Sequence, residues 1–221
     1  MNNIKILLLG LTLILLPGCL VVENPFQGLP PGVWRASLQL DPNLVTPNPR
    51  GEPLPEKLDL TFEEVNNGEL PFNFEIIYPS PDSFYLEIIN GKERIPVRQI
   101  VSGWDNSIGK DTVRIEFPVF DSYIDAVYAE NLMEGEWVVN NRNRDYRIPF
   151  VARYGKDYRF TNLEKKPVAD ISGRWKVNFE IDNPDTTARY PAIGLFEQDG
   201  NHLSGTFLTE LGDYRFLEGT V

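Results

Sequence analysis

The chain has one cysteine, Cys19, and one histidine, His202, among 221 residues. A single cysteine excludes an internal disulfide and a C-x-x-C redox pair within these residues; with no reactive cysteine read in them, thiol catalysis is not expected. A Ser–His–Asp constellation would have to use His202, which directly follows a turn signal; a surface position is the simpler reading. Zinc needs several clustered nitrogen or sulfur ligands, and one histidine supplies one. There is no P-loop and no dinucleotide fingerprint. The sequence therefore names no catalytic residue, metal ligand or cofactor. Positive charge is also scarce: 21 Lys and Arg stand against 32 Asp and Glu, for a net charge of −11. That field repels phosphate backbones and argues against nucleic acid as a partner. Apolar content of 42% suits a folded globule and not a disordered chain. Finally, the apolar run Ile6–Leu16 is too short to cross a hydrocarbon core of about 30 Å, which takes about 20 helical residues.

What is present begins with that run. Met1–Lys5 form a short n-region with one positive charge, and Ile6–Leu16 form the h-region of a secretory signal. Leu16-Pro17-Gly18-Cys19 then resembles the lipobox of bacterial lipoproteins. The resemblance implies cleavage before Cys19 and acylation of its sulfur and new amine, two or more chains giving stable anchorage. The alternative is an ordinary cleaved signal followed by a free thiol. Leu20-Val21-Val22-Glu23 place no acidic cluster beside the anchor, so the expected location is the cell envelope, facing the periplasm. Residues 1–18 are then the signal peptide and 19–31 a stiff tether carrying Pro25, Pro30 and Pro31.

From Trp34 onward the texture is one of short strands. Trp34–Leu40, Leu58–Phe62, Pro71–Tyr78, Phe84–Ile89, Thr112–Phe117 and Arg147–Arg153 are alternating or apolar runs broken by turn residues. Asn90-Gly91 and Asp199-Gly200 are hairpin signals, because both central residues of a type I′ turn need positive φ. Asp41–Glu56 is rich in proline and reads as a loop. Residues 121–133 fit either a capped helix or a hairpin with strands near 122–128 and 132–140. The hairpin is preferred, because Asn131-x-apolar-x-Gly135-x-Trp137 repeats as Asn201-x-apolar-x-Gly205-x-Phe207 after the Asp-Gly turn. A glycine inside a strand marks a bulge or a close backbone approach.

That echo belongs to a larger one. Gly32-Val33-Trp34-Arg35 recurs as Gly173-Arg174-Trp175-Lys176, Pro71 as Pro191, and Gly91-x-x-Arg94 as Gly212-x-x-Arg215. The two Gly-x-x-Arg strings follow their prolines at 20 and 21 residues, and period-matched echoes signal duplication. The expected fold is all-β, an antiparallel barrel-like or sandwich unit over 32–161, a linker over 162–172, and a truncated second copy of the unit over 173–221. The second copy stops in mid-pattern at Val221, so further chain is expected beyond it. Both indoles, Trp34 and Trp175, are expected to be buried, with Arg94 near Trp34 and Arg215 over Trp175 in cation–π contacts.

Tyr190-Pro191-Ala192-Ile193-Gly194, Gly205-Thr206-Phe207-Leu208-Thr209 and Gly212-Asp213-Tyr214-Arg215-Phe216-Leu217-Glu218-Gly219 resemble the N-terminal module of TlpA-type thiol–disulfide oxidoreductases of Bacteroidota-like bacteria. The resemblance is close over Trp175–Val221 and looser back to Gly32. It implies a thioredoxin-fold domain with a W-C-x-x-C motif further on, client proteins reached through that domain, and attachment to the membrane through N-terminal acyl chains. No W-C-x-x-C is present here, so only Cys19 carries over, as a lipidation site. The other expectation is a lipid-anchored binding module with an interior or rim pocket for an apolar or glycan ligand. A hydrolase using Glu63-Glu64, Asp121 with Asp125, or Glu134 with Glu136 is a third and weaker reading. A solvated acidic surface explains those carboxylates more simply.

Overall fold

The computed structural model describes residues 28–40, 65, 68–140, 146–161, 166–180 and 189–221. The fold is all-β and antiparallel, in two sheets. Sheet A has nine strands: β1 Gly32–Gln39, β2 Glu69–Ser80, β3 Ser83–Asn90, β4 Glu93–Val97, β5 Ile100–Asp105, β6 Lys110–Phe117, β7 Ser122–Ala129, β8 Leu132–Val139 and β9 Tyr146–Tyr154. Their spatial order is β4-β3-β2-β1-β9-β8-β7-β6-β5. Sheet B has four: β10 Gly173–Glu180, β11 Arg189–Asp199, β12 His202–Thr209 and β13 Gly212–Thr220, in simple meander order.

The curl of sheet A follows from its connectivity. Its edge strands, β4 and β5, are joined by Arg98-Gln99 alone, a link that reaches at most about 11 Å. A flat sheet could not bring its two edges so close, so the strands wrap into a half-barrel. Trp34, Phe74, Ile76, Ile115, Met133 and Phe150, all but inaccessible to solvent, fill its concave side. Trp34 lies against Phe74 (ring centroids 6.0 Å apart, nearly parallel), Tyr154 (5.4 Å) and Tyr128 (5.9 Å). Its indole N–H donates to Pro30 O at 3.2 Å, which satisfies the one polar atom the burial would otherwise orphan. Burial among these rings raises the pKa of the Tyr78 and Tyr128 hydroxyls.

Most of the strand expectations hold, including the hairpin over 121–133: β7 and β8 meet at Glu130-Asn131, both at positive φ. Gly135 is obligatory there, since a Cβ would sit 1.9 Å from the Asp125 carbonyl oxygen. Two turns differ in detail. Asn90 pairs with Glu93 and Asp199 with His202, so the central residues are Gly91-Lys92 and Gly200-Asn201. Only the first of each pair has positive φ (58° in both), the feature of a type II′ turn with glycine first. β5 was not anticipated. Leu58–Phe62, Asp41–Glu56 and Cys19 lie outside the described residues.

The sequence echo is a structural one. In sheet A, Gly32 pairs with Ile76, Trp34 with Phe74 and Ser37 with Pro71. In sheet B, Gly173 pairs with Phe196, Trp175 with Gly194 and Asn178 with Pro191, the same register. At the next step Phe74 pairs with Ile88 and Gly194 with Phe207, but β2–β3 has a register shift between Ile77 and Ser80 that β11–β12 lacks. Trp175 even repeats the indole bond four residues back, donating to Ile171 O at 2.8 Å. The Gly-x-x-Arg echo is out of step, however: β3 and β4 turn at Gly91-Lys92, whereas β12 and β13 turn at Glu210-Leu211, so Gly212 begins a strand.

Candidate functional site: the aromatic face of sheet B

Pairing register assigns each residue of a strand to one of two faces. In sheet A, Trp34, Phe74, Ile88 and Ile95 form one cross-strand row on the core side. The matching row of sheet B is Trp175, Gly194, Phe207 and Tyr214. Phe179, Tyr190, Phe196 and Leu217 occupy neighbouring rows of that same face. Phe196 fits because two glycines flank it: a Cβ on Gly205 would come within 2.3 Å of its ring, and one on Gly194 within 2.7 Å.

This face is the twin of a buried core, yet among the described residues nothing closes over it. Trp34 is fully buried, whereas Trp175 is 45% exposed and Tyr214 55%. The burial expected of Trp175 is thus corrected: its strand is laid down in the same register, but the layer that covers Trp34, strands β6–β9, has no counterpart over sheet B among the described residues. The exposed rings pack on one another instead. Phe179 stands edge-on to Phe207 (5.2 Å) and Tyr214 (5.9 Å) and stacks on Tyr190 (6.3 Å). Together with Thr209, Leu211 and Leu217 they line an open cleft of about 870 Å³. Its polar fixture is the Tyr190 hydroxyl, which lies 2.9 Å from Thr209 Oγ1 and accepts the Leu211 N–H at 3.3 Å. Thr209 Oγ1 in turn donates to Gly212 O. Such a cleft supplies apolar contact and ring stacking, with the hydroxyls of Tyr190, Thr209 and Tyr214 and the Asp213 carboxylate as its polar groups.

The two sheets meet on a polar seam. After β9 the chain crosses the outer face of β1 and β2, where Asn73 Nδ2 donates to Lys156 O (3.1 Å) and Arg35 Nε to Arg159 O (2.9 Å). Arg35, wholly buried, also faces Glu69 at 3.5 Å and lies over the Tyr158 ring. Arg159 continues outward, donating Nε to Pro71 O and pairing with Glu218 of β13 at 2.9 Å. Gly91 matters here: its missing side chain lets Phe216, itself at φ 57° in a bulge of β13, come within 3.5 Å of where a Cβ would be.

The remaining sequence candidates scatter. His202 opens β12 and its Nε2 lies 3.4 Å from Glu218 Oε1, on the seam. Asp121 accepts a bond from Asn140. Asp125 and Glu136 are opposite each other across β7 and β8, but each is tied to its own arginine on the sheet's outer face. Asp125 takes Arg114 Nε and Nη2 at 2.6 and 2.5 Å, and Glu136 takes Arg147 at 2.6 Å. The Asp125 carboxylate holds the Arg114 guanidinium still more firmly in its charged form than usual. Glu134 faces Val127, and Glu63-Glu64 lie outside the described residues. Among the described residues no three His, Cys, Asp or Glu converge as metal ligands. The two expected cation–π contacts are corrected too. Arg94 pairs with Ile89, on the face opposite Trp34, and spends its guanidinium on Gly91 O and Glu93 O. Arg215 follows Tyr214, the residue in Trp175's row, and bonds Asp213. Comparison of the chain with protein-family models, with curated proteins and with solved structures finds no match.

Proposed function

We propose that this chain is a non-catalytic β-module of a lipid-anchored protein of the cell envelope, and that the aromatic face of sheet B is where adjoining protein packs. The single observation that carries this reading is the bareness of that face beside its covered twin in sheet A. Exposed contiguous apolar surface of this kind marks an interaction site. The resemblance of residues 175–221 to TlpA-type oxidoreductases supplies the finer proposal: a thioredoxin-fold redox domain beyond Val221, with Cys19 acylated to hold the assembly at the membrane. The module would then keep the redox centre off the lipid surface. A thiol–disulfide exchange assay tests it. These 221 residues should be inactive and the product of the full reading frame active. Exchange activity in the 221-residue chain, or a reading frame without W-C-x-x-C, contradicts the redox proposal.

A second reading is favoured by the cleft itself: a binding module that takes an apolar or glycan ligand on Phe179, Tyr190, Phe207 and Tyr214. An apolar fluorescent dye separates the two. If adjoining protein covers the face, the dye binds this chain and not the full-length product. If the cleft is a ligand site, the dye binds both, and Phe179→Ala weakens it in both.

A further inference from the structure

β5 is the unguarded edge of the molecule. The other edges carry features that blunt pairing with a foreign strand. β4 has Pro96 with Glu93 and Arg94, β10 has Arg174 and Lys176, and β13 has a bulge and the charges of Asp213, Arg215 and Glu218. β5, Ile100–Asp105, has no proline and no charge until its last residue, Asp105. Val101 is 64% exposed and Trp104 58%, and Ile108 in the turn that follows is 52%.

The direction of its main-chain groups can be fixed. Glu116 N–H donates to Gln99 O at 2.9 Å, in step with the pairing of Ile100 with Ile115, so Gln99 and Glu116 form a hydrogen-bonded pair. Orientation alternates along an antiparallel strand. Gln99, Val101, Gly103 and Asp105 therefore turn their N–H and C=O toward β6, and the Thr112 hydroxyl reaching Gly103 O agrees. Ile100, Ser102 and Trp104 turn theirs outward, where no described strand meets them.

We propose that two copies of this chain join edge to edge through β5, antiparallel, about a two-fold axis at Ser102. Only that register uses all three outward residues. It sets Ser102 against Ser102 of the partner subunit, and Ile100 against Trp104 of the partner subunit, twice by symmetry. A β-branched residue facing an aromatic one across two strands is a favourable pair. The ladder would hold about six main-chain hydrogen bonds. A second copy is favoured over an unrelated peptide because the strand is complementary to itself about this one residue. Each copy carries a net charge of −11, so association should tighten with salt.

Cysteine cross-linking of the whole chain tests the register. Hydrogen-bonded antiparallel partners sit about 5.5 Å apart at Cα, inside the disulfide range. Ser102→Cys should give a disulfide-linked dimer on mild oxidation, and Val101→Cys, which faces Gly103 of the partner subunit, should not; the parent chain reports any background from Cys19. Ser102→Pro removes an outward N–H and none of the β6 ladder. It should abolish a dimer seen by sedimentation while leaving the melting midpoint in place. Raising salt from about 50 to about 500 mM should lower the dimer dissociation constant roughly threefold. A parent chain that stays monomeric at millimolar concentration, or cross-linking at 101 and not at 102, overturns the proposal.

Discussion

The two four-stranded meanders, β1–β4 and β10–β13, share strand order and the register of their first two strands and differ in what surrounds them. The indole-to-carbonyl bond is shared as well. Trp34 and Phe74 in the core-side row of the first are sealed, with Ile95 exposed at its edge, whereas Trp175 and Tyr214 of the second are open to solvent. Register is thus written locally, by turns and by where glycine and proline fall. Burial is written by what else folds nearby.

The tryptophans give the largest contrast. Trp34→Ala should cost about 3–5 kcal/mol, since a fully enclosed ring leaves a cavity. Trp175→Ala should cost only about 1–2 kcal/mol, because nearly half its surface is already wet. Denaturant melts of the two variants measure the gap. Equal costs would mean that sheet B is covered after all.

Glycine sharpens the comparison. In sheet A, Gly135→Ala drives a methyl into the Asp125 backbone, which cannot step aside, and at least about 3 kcal/mol should be lost. In sheet B, Gly194→Ala meets only the rings of Phe196 and Phe207. On an open face those rings can swing, so about 1 kcal/mol is expected.

These contrasts also explain what was legible beforehand. Alternating or apolar runs located most strands of sheet A, the repeat echo pointed to those of sheet B, and the repeated Asn-x-apolar-x-Gly-x-aromatic string chose the hairpin over the helix. Those are local signals. β5 escaped notice because Val101-Ser102-Gly103-Trp104 has no alternation to detect; it is a strand because β6 holds it. The cation–π pairs failed for want of register: being near Trp34 in the repeat did not tell on which face Arg94 would point. The aromatic cleft was invisible for the same reason, as Phe179, Tyr190, Phe207 and Tyr214 converge only once three hairpins are in step. The proposed lipidation of Cys19 rests on a short linear motif and not on the fold.

The seam joining the sheets should yield a moderate effect. Glu218→Gln removes the charge that Arg159 meets at 2.9 Å, with both side chains mostly buried. About 1 kcal/mol should be lost, and amide exchange should quicken along β13 before it does in β1. Lys92→Ala, whose partner Glu197 is as exposed as itself at 3.7 Å, should change nothing measurable.

The smallest effect compares two turns of one design, one in each half of the molecule. Asp105 accepts bonds from the N–H and hydroxyl of Ser107 (2.7 and 2.6 Å), and Asp170 does the same with Ser172 (2.9 and 2.6 Å). Both carboxyls are held below the ordinary aspartate value, the serine hydroxyl being the main cause. A depressed folded-state pKa adds stability that is present above the unfolded value, near pH 4, and is lost as pH falls through the folded one. Ser172→Ala should therefore raise the Asp170 pKa toward the ordinary value and leave Asp105 where it is, as carboxyl carbon NMR titration would read directly. Because both groups are open to solvent, stability at neutral pH should barely move. The prediction fails if the two aspartates shift together, which would mean that the halves share a titrating network and not merely a turn.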